Sequence, residues 1–538
     1  MKRFGKLSGV TSLFAVMLLA AAGCASSAPP AAKSAGTAKD YNGTISVGYY
    51  EPPDSLSPTI GVGNDEIITD LIYGLLVDTN SHGNLVPGIA TKWAWSGAND
   101  DTFTVWLRHG VKFSDGTPLN AAAVVFDWKH FISAGDIQGY LEYVIPGSIH
   151  AVNNYEVQEQ TTQPNSQLAY AMSERPGLIM DPTAYNKDGA NGYATKPVGA
   201  GPYKLTSVEA GTSYCLTRNS GYWNNSADPR IKNMCFEFYS TLTSEVTALL
   251  AGTIQVAQQV SSADYLTLKS NRGIKLLHGI GTLGQTVFFN GLTRPSAHGP
   301  NFTNSKLGIA FNVAINRNQM NKVGSDGLGV PSTELEPEGT PAYDAKYASQ
   351  LAYNPAKGRK LMKSLGYSPS HPDPITCDVY PGLGWNVTGP VLISNEAAIG
   401  IKLKLIPGPV TDATAYNAED DYPCYAVITG VGVFPGTAFE NLLWSKGTQN
   451  AHYCTSLTNC GPGTNWGDDK YINQFFTTFS QAALVPLYDG IDKNNTVNPG
   501  VAVAYYSPAI IAYASDVGGL TINQLQDYLL DDHLYYTK

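Results

Sequence analysis

The chain has few charged residues and few apolar runs. Charged side chains make up 14% of its 538 residues, and the formal net charge is −10. No basic stripe is present to neutralise phosphates, which excludes nucleic acid as a partner. The stretch Leu7–Ala22 is largely apolar, but it is shorter than the roughly 20 residues that a membrane-spanning helix needs. No other run is long and apolar enough to cross a membrane.

Catalytic motifs are also missing. The sequence has no GxSxG elbow, no HExxH pair and no Walker lysine, and its nine histidines are scattered. The string Gly279–Gly284 fits GxGxxG, but it leads into the strand-like QTVFFN, whereas a dinucleotide-binding loop opens a helix. A glycosidase needs a pair of carboxylates, and nothing selects such a pair here. We therefore expect no enzymatic activity and no cofactor.

Cysteine is scarce, and none of the seven forms a CxxC pair or has histidine at ligand spacing beside it, so no metal site is predicted. If Cys24 is set aside, an even number remains, which is typical of an oxidising compartment. The candidate disulfides are Cys454–Cys460 across a short loop, and Cys215–Cys235 and Cys377–Cys424 between strand-like segments. The sequence alone leaves this pairing open.

The amino terminus has the pattern of an export signal. Lys2, Arg3 and Lys6 precede the apolar segment, which ends in Ala-Ala-Gly-Cys24 and resembles a bacterial lipobox. Residues 1–23 are predicted as a signal peptide and 24–40 as a lipidated cysteine with a flexible tether, because residues 25–39 are small, Pro-interrupted and almost free of bulky apolar side chains. The alternative is an ordinary signal peptide with Cys24 incidental.

The most informative segment is Thr102–Phe131. Phe103, Val105 and Leu107 alternate with more polar residues, which predicts a half-buried strand. A Ser-Asp-Gly-Thr-Pro turn follows. Asn120 is then placed to cap a helix whose apolar residues share one face, namely Val124, Val125, Trp128 and Phe131.

Together with LVPGIATKWAW (85–95), this segment resembles the signature of the peptide/nickel family of extracytoplasmic solute-binding proteins, the receptors of ABC importers. Further motifs appear in the family's order from Thr44 to Leu520. They include KPVGAGPYKL (196–205), a predicted amphipathic helix at 306–320, and YNPAKGRKLMKSLGY (353–367), where Asn354 and Pro355 begin a helix and Gly366 ends it.

The resemblance implies a mixed α/β architecture with two lobes, of the periplasmic-binding-protein type II kind, and an extra subdomain in the first lobe. Residues 41–288 with 489–538 are expected to form lobe I, the extra subdomain covering about 56–199. Residues 289–488 are expected to form lobe II. Hinges are predicted near Phe289–Asn290 and Leu487–Tyr488, with the ligand between the lobes.

Peptide-binding members hold the ligand's ammonium group with an Asp, and the matching position here is Val433. The resemblance therefore implies a less charged, more aromatic pocket for a peptide or a peptide-like, neutral solute. Candidate ligand contacts are Trp385, Tyr380, Val433, Phe434, Trp444 and Asn290, although core packing is the alternative for each aromatic residue.

The expected function is capture of the solute outside the cytoplasm and its delivery to a membrane permease driven by ATPase subunits. The protein is expected to be a monomer held at the outer face of the cytoplasmic membrane by its lipid. The alternatives are a ligand-sensing lipoprotein that does not serve transport, and a secreted lipoprotein hydrolase.

Overall fold

The structure is a computed structural model. It describes residues 38–50, 52–53, 55–59, 66–80, 84–134, 141, 143–224, 230–289, 299, 302, 304–379, 384–407, 422–430, 432, 434, 436–444, 467–522 and 533–537. The strands, in chain order, are β1 (Lys39–Asp40), β2 (Thr44–Tyr50), β3 (Val77–Thr79), β4 (Leu85–Pro87), β5 (Ala90–Ser96), β6 (Thr102–Leu107), β7 (His150–Asn153), β8 (Glu156–Gln160), β9 (Tyr203–Glu209), β10 (Ser213–Arg218), β11 (Asn233–Tyr239), β12 (Val256–Ala257), β13 (Ile274–Phe289), β14 (Val330–Pro331), β15 (Asp373–Val379), β16 (Ile401–Pro407), β17 (Cys424–Gly430), β18 (Val501–Ala514), β19 (Val517–Gly518) and β20 (Tyr535–Thr537).

The helices alternate with these strands. They are α1 (Glu66–Tyr73), α2 (Ala121–Ala134), α3 (Leu168–Ala171), α4 (Pro182–Tyr193), α5 (Leu242–Leu250), α6 (Ser262–Leu268), α7 (Ser305–Ala314), α8 (Arg317–Ser325), α9 (Ala345–Ala348), α10 (Pro355–Ser364), α11 (Trp385–Ala397), α12 (Thr437–Leu443), α13 (Asp469–Phe475) and α14 (Gln481–Val497). Within the described residues, no helix combines the length and the apolar character that crossing a bilayer requires.

One large sheet runs through the fold. Its strands follow the order β16-β15-β17-β13-β18-β12-β2-β11-β10-β9, and β14 pairs with β18 beside this path. The long strands β13 and β18 are antiparallel and pair from Ile274–Ala514 to Phe288–Val501. At one end β18 pairs with β12, and at the other β13 pairs with β17. These two strands therefore connect the two halves of the sheet.

Each half of the sheet has its own core. One core includes Ile45, Phe236 and Ile511, and the other includes Phe311 and Leu403. A separate four-stranded sheet, β5-β6-β8-β7, packs with helix α2 around a third core that extends from Leu76 to Ala200. This third core lies in the part of the chain that the sequence assigns to an extra subdomain.

The strand–turn–helix unit predicted at Thr102–Phe131 is confirmed. The segment contains strand β6 and helix α2, and the Asn120 side chain accepts hydrogen bonds from the amides of Ala122 and Ala123 at 3.0 and 3.3 Å. Val124, Trp128 and Phe131 are buried on one helix face. Because Asn120 satisfies amides that have no partner inside the helix, the sequence fixes where the helix begins.

The glycines of KPVGAGPYKL allow a close backbone contact with helix α1. A Cβ at Gly199 would lie 2.3 Å from the Ile72 carbonyl oxygen, and one at Gly201 would lie 2.5 Å from that of Leu71. The Gly201 amide donates to Ile72 at 2.9 Å. Only glycine permits this approach, as the sequence predicts.

The single helix predicted at 306–320 is wrong. The chain forms two helices, α7 and α8, and Asn316 caps the second by accepting from the Gln319 amide at 3.1 Å. The break turns Arg317 into the protein interior, where its Nε donates to the carbonyl of Val503 at 2.8 Å. Satisfying this buried guanidinium accounts for the interruption, because an unpaired buried cation is costly.

One predicted hinge lies at the end of a strand, and the other lies inside a helix. Phe289 is the last residue of strand β13, and Asn290 lies outside the described residues. Leu487 and Tyr488 lie inside helix α14, upstream of strand β18. The exact division into lobes therefore stays a prediction.

Candidate ligand-binding site

Two distant parts of the chain meet at what we call the interlobe contact, formed by residues 165–170 on one side and by Phe434, Gly436–Trp444 and Phe475–Phe476 on the other. The Ser166 amide donates to the Phe476 carbonyl at 2.7 Å, and its hydroxyl donates to that of Phe475 at 2.6 Å. The Gln167 side-chain amide donates to Glu440 at 2.9 Å. The first side belongs to the predicted extra subdomain and the second to predicted lobe II.

Aromatic rings form a continuous row at this contact. Tyr170 and Phe434 have ring centroids 5.2 Å apart in an edge-to-face arrangement. Phe434 contacts Phe475 at 6.1 Å, and Phe475 contacts Tyr488 at 5.3 Å. Tyr170 is half-buried, whereas the other three rings are buried. This row gives the contact a rigid apolar surface with phenolic groups at both ends.

Two buried carboxylates are found at the segment Gly436–Glu440: Glu336, which contacts the segment, and Glu440, which is its last residue. Glu336 is fully buried and accepts a hydrogen bond from the Gly436 amide at 3.2 Å. Burial raises the pKa of Glu336 to about 8, because the bonds from the Gly436 and Ala438 amides compensate only partly for lost hydration. Glu440 is 6% exposed and holds the Gln167 amide.

A second pair of acids lies beside Glu336. Burial raises the pKa of Asp492 well above its usual range, and the adjacent Glu334 carboxylate raises it further. Burial also raises the pKa of Glu334 to about 7, against a hydrogen bond with Asp492 and the attraction of Arg317. Two buried carboxyl groups in contact favour sharing one proton, so this pair is less than fully ionised at neutral pH.

The candidate aromatic residues lie in two cores. Trp385 is 4% exposed, begins helix α11, and donates through Nε1 to the Val427 carbonyl at 3.3 Å. Trp444 is buried and donates to Asn473 at 3.1 Å. Phe434 is at the interlobe contact. Tyr380, Asn290 and Val433 lie outside the described residues.

Two disulfides join neighbouring strands of the large sheet. Cys215 on β10 is bonded to Cys235 on β11, and Cys377 on β15 is bonded to Cys424 on β17. In each pair the cysteines are direct partners across the strands. The candidates Cys24, Cys454 and Cys460 lie outside the described residues.

In the part of the chain that the structure describes, no three His, Cys, Asp or Glu side chains are arranged to hold a metal ion. The GxGxxG string, Gly279–Gly284, lies entirely within strand β13 and opens no helix. It therefore lacks the geometry with which such a string binds a dinucleotide.

Sequence reasoning missed Tyr170, Glu336, Gln167 and Glu440. In the segment STELEPEG the two glutamates flank Leu335, a pattern that fits an exposed polar edge as well as a buried one. Their burial depends on the Gly436 segment, which is 100 residues away from Glu336. From the sequence we expected an aromatic site without charge at Val433. Among the described residues the interlobe contact is aromatic, but carboxylates also lie there.

The large sheet has two halves that two long antiparallel strands connect, and the fold has an additional subdomain. Distant parts of the chain meet at the interlobe contact. These features define a two-lobed solute-binding protein. A family model for bacterial extracellular solute-binding proteins, family 5, matches residues 84–451. The chain belongs to this family, whose members are extracytoplasmic binding proteins. The resemblance stated from the sequence motifs is thereby confirmed.

Individual relatives agree with this assignment. The chain is 27% identical over 471 residues to the glutathione-binding protein GsiB of Salmonella choleraesuis, covering 85% of this chain and 84% of that protein. Its fold is similar to NikA of Brucella suis in complex with Fe(III)-EDTA, with a TM-score of 0.78, 19% identity, and coverage of 92% and 100% of the two chains. The murein tripeptide binding protein MppA of Escherichia coli gives a TM-score of 0.71 at 18% identity, with coverage of 92% and 99%. At these identities the two structural likenesses concern the fold alone.

Proposed function

We propose that this chain is the receptor of an ABC importer and that it captures a short peptide or a peptide-like solute between its lobes. The observation that supports this most is the family 5 match across residues 84–451, combined with a fold shared over 92% of the chain with a tripeptide-binding protein. GsiB, whose name gives glutathione as its ligand, is a relative that matches over 85% of this chain. Glutathione and tripeptides are therefore the first ligands to test.

The interlobe contact is proposed as the binding site. The aromatic surface of Tyr170 and Phe434 is suited to the apolar parts of a peptide, and the nearby amides and carboxylates are suited to its polar groups. Opening would separate Ser166 and Gln167 from their partners, and closure around the solute would restore them. A ligand contact by Trp385, Trp444, Tyr380, Val433 or Asn290 stays a prediction.

The proposed partners follow from this role. The closed receptor would dock on a permease that cytoplasmic ATPases drive, and no catalytic step is assigned to the receptor itself. Anchoring by a lipid on Cys24 would raise its concentration near the permease. Incorporation of labelled fatty acid into the wild type but not into Cys24→Ser would support the anchor, and equal labelling of both would contradict it. Light scattering of the soluble protein is expected to give the mass of a monomer.

Uptake can be separated from sensing and from hydrolysis. A deletion strain is expected to lose growth on a bound tripeptide as sole nitrogen source, and a plasmid copy should restore it. Unchanged growth together with an altered transcriptional response would indicate a sensor. Release of amino acids from the tripeptide by purified protein would indicate a hydrolase.

A further inference from the structure

We propose that the predicted extra subdomain carries a second ligand site, a surface cavity that binds a small acidic sugar, meaning a sugar with a carboxylate group. The inference goes beyond the proposed function, because the cavity shares no residue with the interlobe contact. The cavity has a volume of about 400 Å³, which is within the range of small-molecule sites. All nine of its lining residues fall between Thr91 and Glu156.

A row of side chains across all four strands of the β5-β6-β8-β7 sheet forms the floor of the cavity. Lys92 on β5 pairs with Trp106 on β6, Trp106 pairs with Glu156 on β8, and Glu156 pairs with Asn153 on β7. Residues that are directly opposite each other in antiparallel strands project to the same face. The neighbouring residue Val105 is buried in the core around helix α2. The row therefore lies on the sheet face that points away from this core.

Two β-bulges lie beside this row. On β5 the register shifts at Thr91, since Ala90 opposes Leu107 whereas Lys92 opposes Trp106. A second shift occurs on β7, immediately before the residue that pairs with β8 at the end of the row. A bulge changes the direction of nearby side chains and is common beside functional sites. The two bulges bring the ends of the row to the cavity.

Two cations at the cavity are held in place by indole rings. The Lys92 Nζ atom lies 4.1 Å from the centroid of the Trp106 ring, and the Arg108 guanidinium carbon lies 4.1 Å from that of Trp223. Arg108 also donates to the Gly88 carbonyl at 3.3 Å. These contacts restrict the two cations without neutralising their charge. Both positive charges are therefore available to a ligand.

Negative charge at the cavity is smaller than positive charge. Glu156 is the one acidic residue among the described residues that line it, and its carboxylate accepts from the Asn153 side-chain amide at 2.9 Å. Within the described part of the chain, neither Lys92 nor Arg108 forms an ion pair. His109 adds a third group that can become cationic. The cavity therefore favours an anion.

Aromatic and hydroxyl groups at the cavity specify what kind of anion fits. The rings of His109 and Tyr155 are stacked, with centroids 3.8 Å apart. The Tyr155 backbone is fixed, because its amide donates to the Asn153 side chain at 2.9 Å and its carbonyl accepts from Leu107 at 2.8 Å. The rings offer apolar surface, and the phenol and imidazole offer hydrogen-bonding groups. An acidic sugar combines apolar C–H surface, hydroxyl groups and a carboxylate, so it matches all three features.

Binding at this cavity should not depend on the conformation of the two lobes. Its lining residues belong to one sheet and the turns that connect its strands, whereas the interlobe contact is formed by residues 165–170 and by residues beyond 430. Lobe closure moves one such unit against another and leaves the inside of each unchanged. We therefore expect the acidic sugar and the transported peptide to bind without competing.

The experiment is titration followed by saturation-transfer difference NMR, with sodium glucuronate as the probe, glucose as its neutral counterpart and benzoate as an anion without hydroxyl groups. We expect glucuronate to bind about fivefold or more tightly than either of the other two. Lys92→Gln should weaken glucuronate binding about fivefold, because an exposed ion pair is lost. The matched control is Lys129→Gln, which removes an exposed lysine on helix α2 and should leave binding unchanged. An excess of glutathione should also leave it unchanged.

The contrary results are equally specific. Absence of a glucuronate signal, equal binding of glucuronate and glucose, or equal losses in the two lysine variants would overturn the inference. Benzoate binding as tightly as glucuronate would overturn the assignment of a sugar. Displacement of glucuronate by glutathione would place it at the peptide site instead and would also overturn the inference. None of these results affects the proposed peptide receptor, whose test is binding of glutathione or a tripeptide.

Discussion

The side-chain amide of Gln167 lies 2.9 Å from the carboxylate of Glu440, although the two residues are 273 positions apart in the chain. This bond and the two bonds of Ser166 hold the predicted extra subdomain against predicted lobe II. In the present conformation the interlobe contact is therefore formed.

Removing this bond should favour the open conformation. A hydrogen bond to a charged group contributes about 1.5–3 kcal/mol, so Gln167→Ala should shift the ratio of closed to open molecules about tenfold or more. Small-angle X-ray scattering of ligand-free protein should show a larger radius of gyration. Gln158→Ala is the control, because Gln158 bonds Thr104 within the four-stranded sheet. An unchanged radius in the first variant would show that Gln167 does not control closure.

The bond between Cys215 and Cys235 should contribute to stability. It connects residues separated by 20 positions, and a loop of this size corresponds to about 3 kcal/mol of unfolding free energy. Replacing both cysteines with alanine should lower the denaturant midpoint accordingly. The double variant Thr217→Ala/Asn233→Ala, which removes a noncovalent contact of the same strand pair at 2.9 Å, should lose much less. Equal losses would mean that the disulfide adds nothing beyond ordinary pairing.

Trp385 is expected to act as a core residue. Its ring is 4% exposed and packs in the core that contains Phe311 and Leu403. Trp385→Ala should cost about 3–5 kcal/mol of unfolding free energy, as measured by chemical denaturation. Trp106→Ala removes a half-buried ring on β6 that lies beneath the Lys92 ammonium group, and this variant should cost less. Loss of ligand binding at unchanged stability would instead identify Trp385 as a ligand contact.

Stability should fall as pH rises from about 4.5 to 8. Burial raises the pKa of Glu159 to about 8, and it also raises the pKa of Asp468 to about 8. In this window the folded state keeps the proton while the unfolded chain releases it, so raising the pH favours unfolding. Each such group loses about 1.4 kcal/mol per pH unit. Stability measured by urea denaturation should therefore depend less on pH in Glu159→Gln than in the wild type. An identical pH dependence would show that Glu159 is ionised in the folded protein.

Local signals in the sequence predicted much of the fold. Asn354 accepts from the Lys357 amide at 2.9 Å and Pro355 begins α10, because capping depends on residues within one helical turn. The break before α8 was not predicted, since it depends on Arg317 reaching Val503 on a distant strand. Apolar periodicity continues across Ile315 and gives no sign of this contact.

The candidate site was harder to predict for the same reason. Phe434 was identified through a motif, but Glu336 joins the site through the Gly436 amide, a contact between residues far apart in the sequence. Acidic residues in a polar segment are usually solvated, so their burial becomes visible only when the chain is folded.

Calorimetric titration of refolded, ligand-free protein with glutathione and tri-alanine tests the central claim most directly. The account predicts that at least one of them binds with one-to-one stoichiometry and that the bound peptide is recovered intact. It also predicts a stabilisation of about 2.7 kcal/mol at a ligand concentration 100 times the dissociation constant. Absence of heat and of stabilisation with both peptides, or recovery of cleaved peptide, would contradict the account.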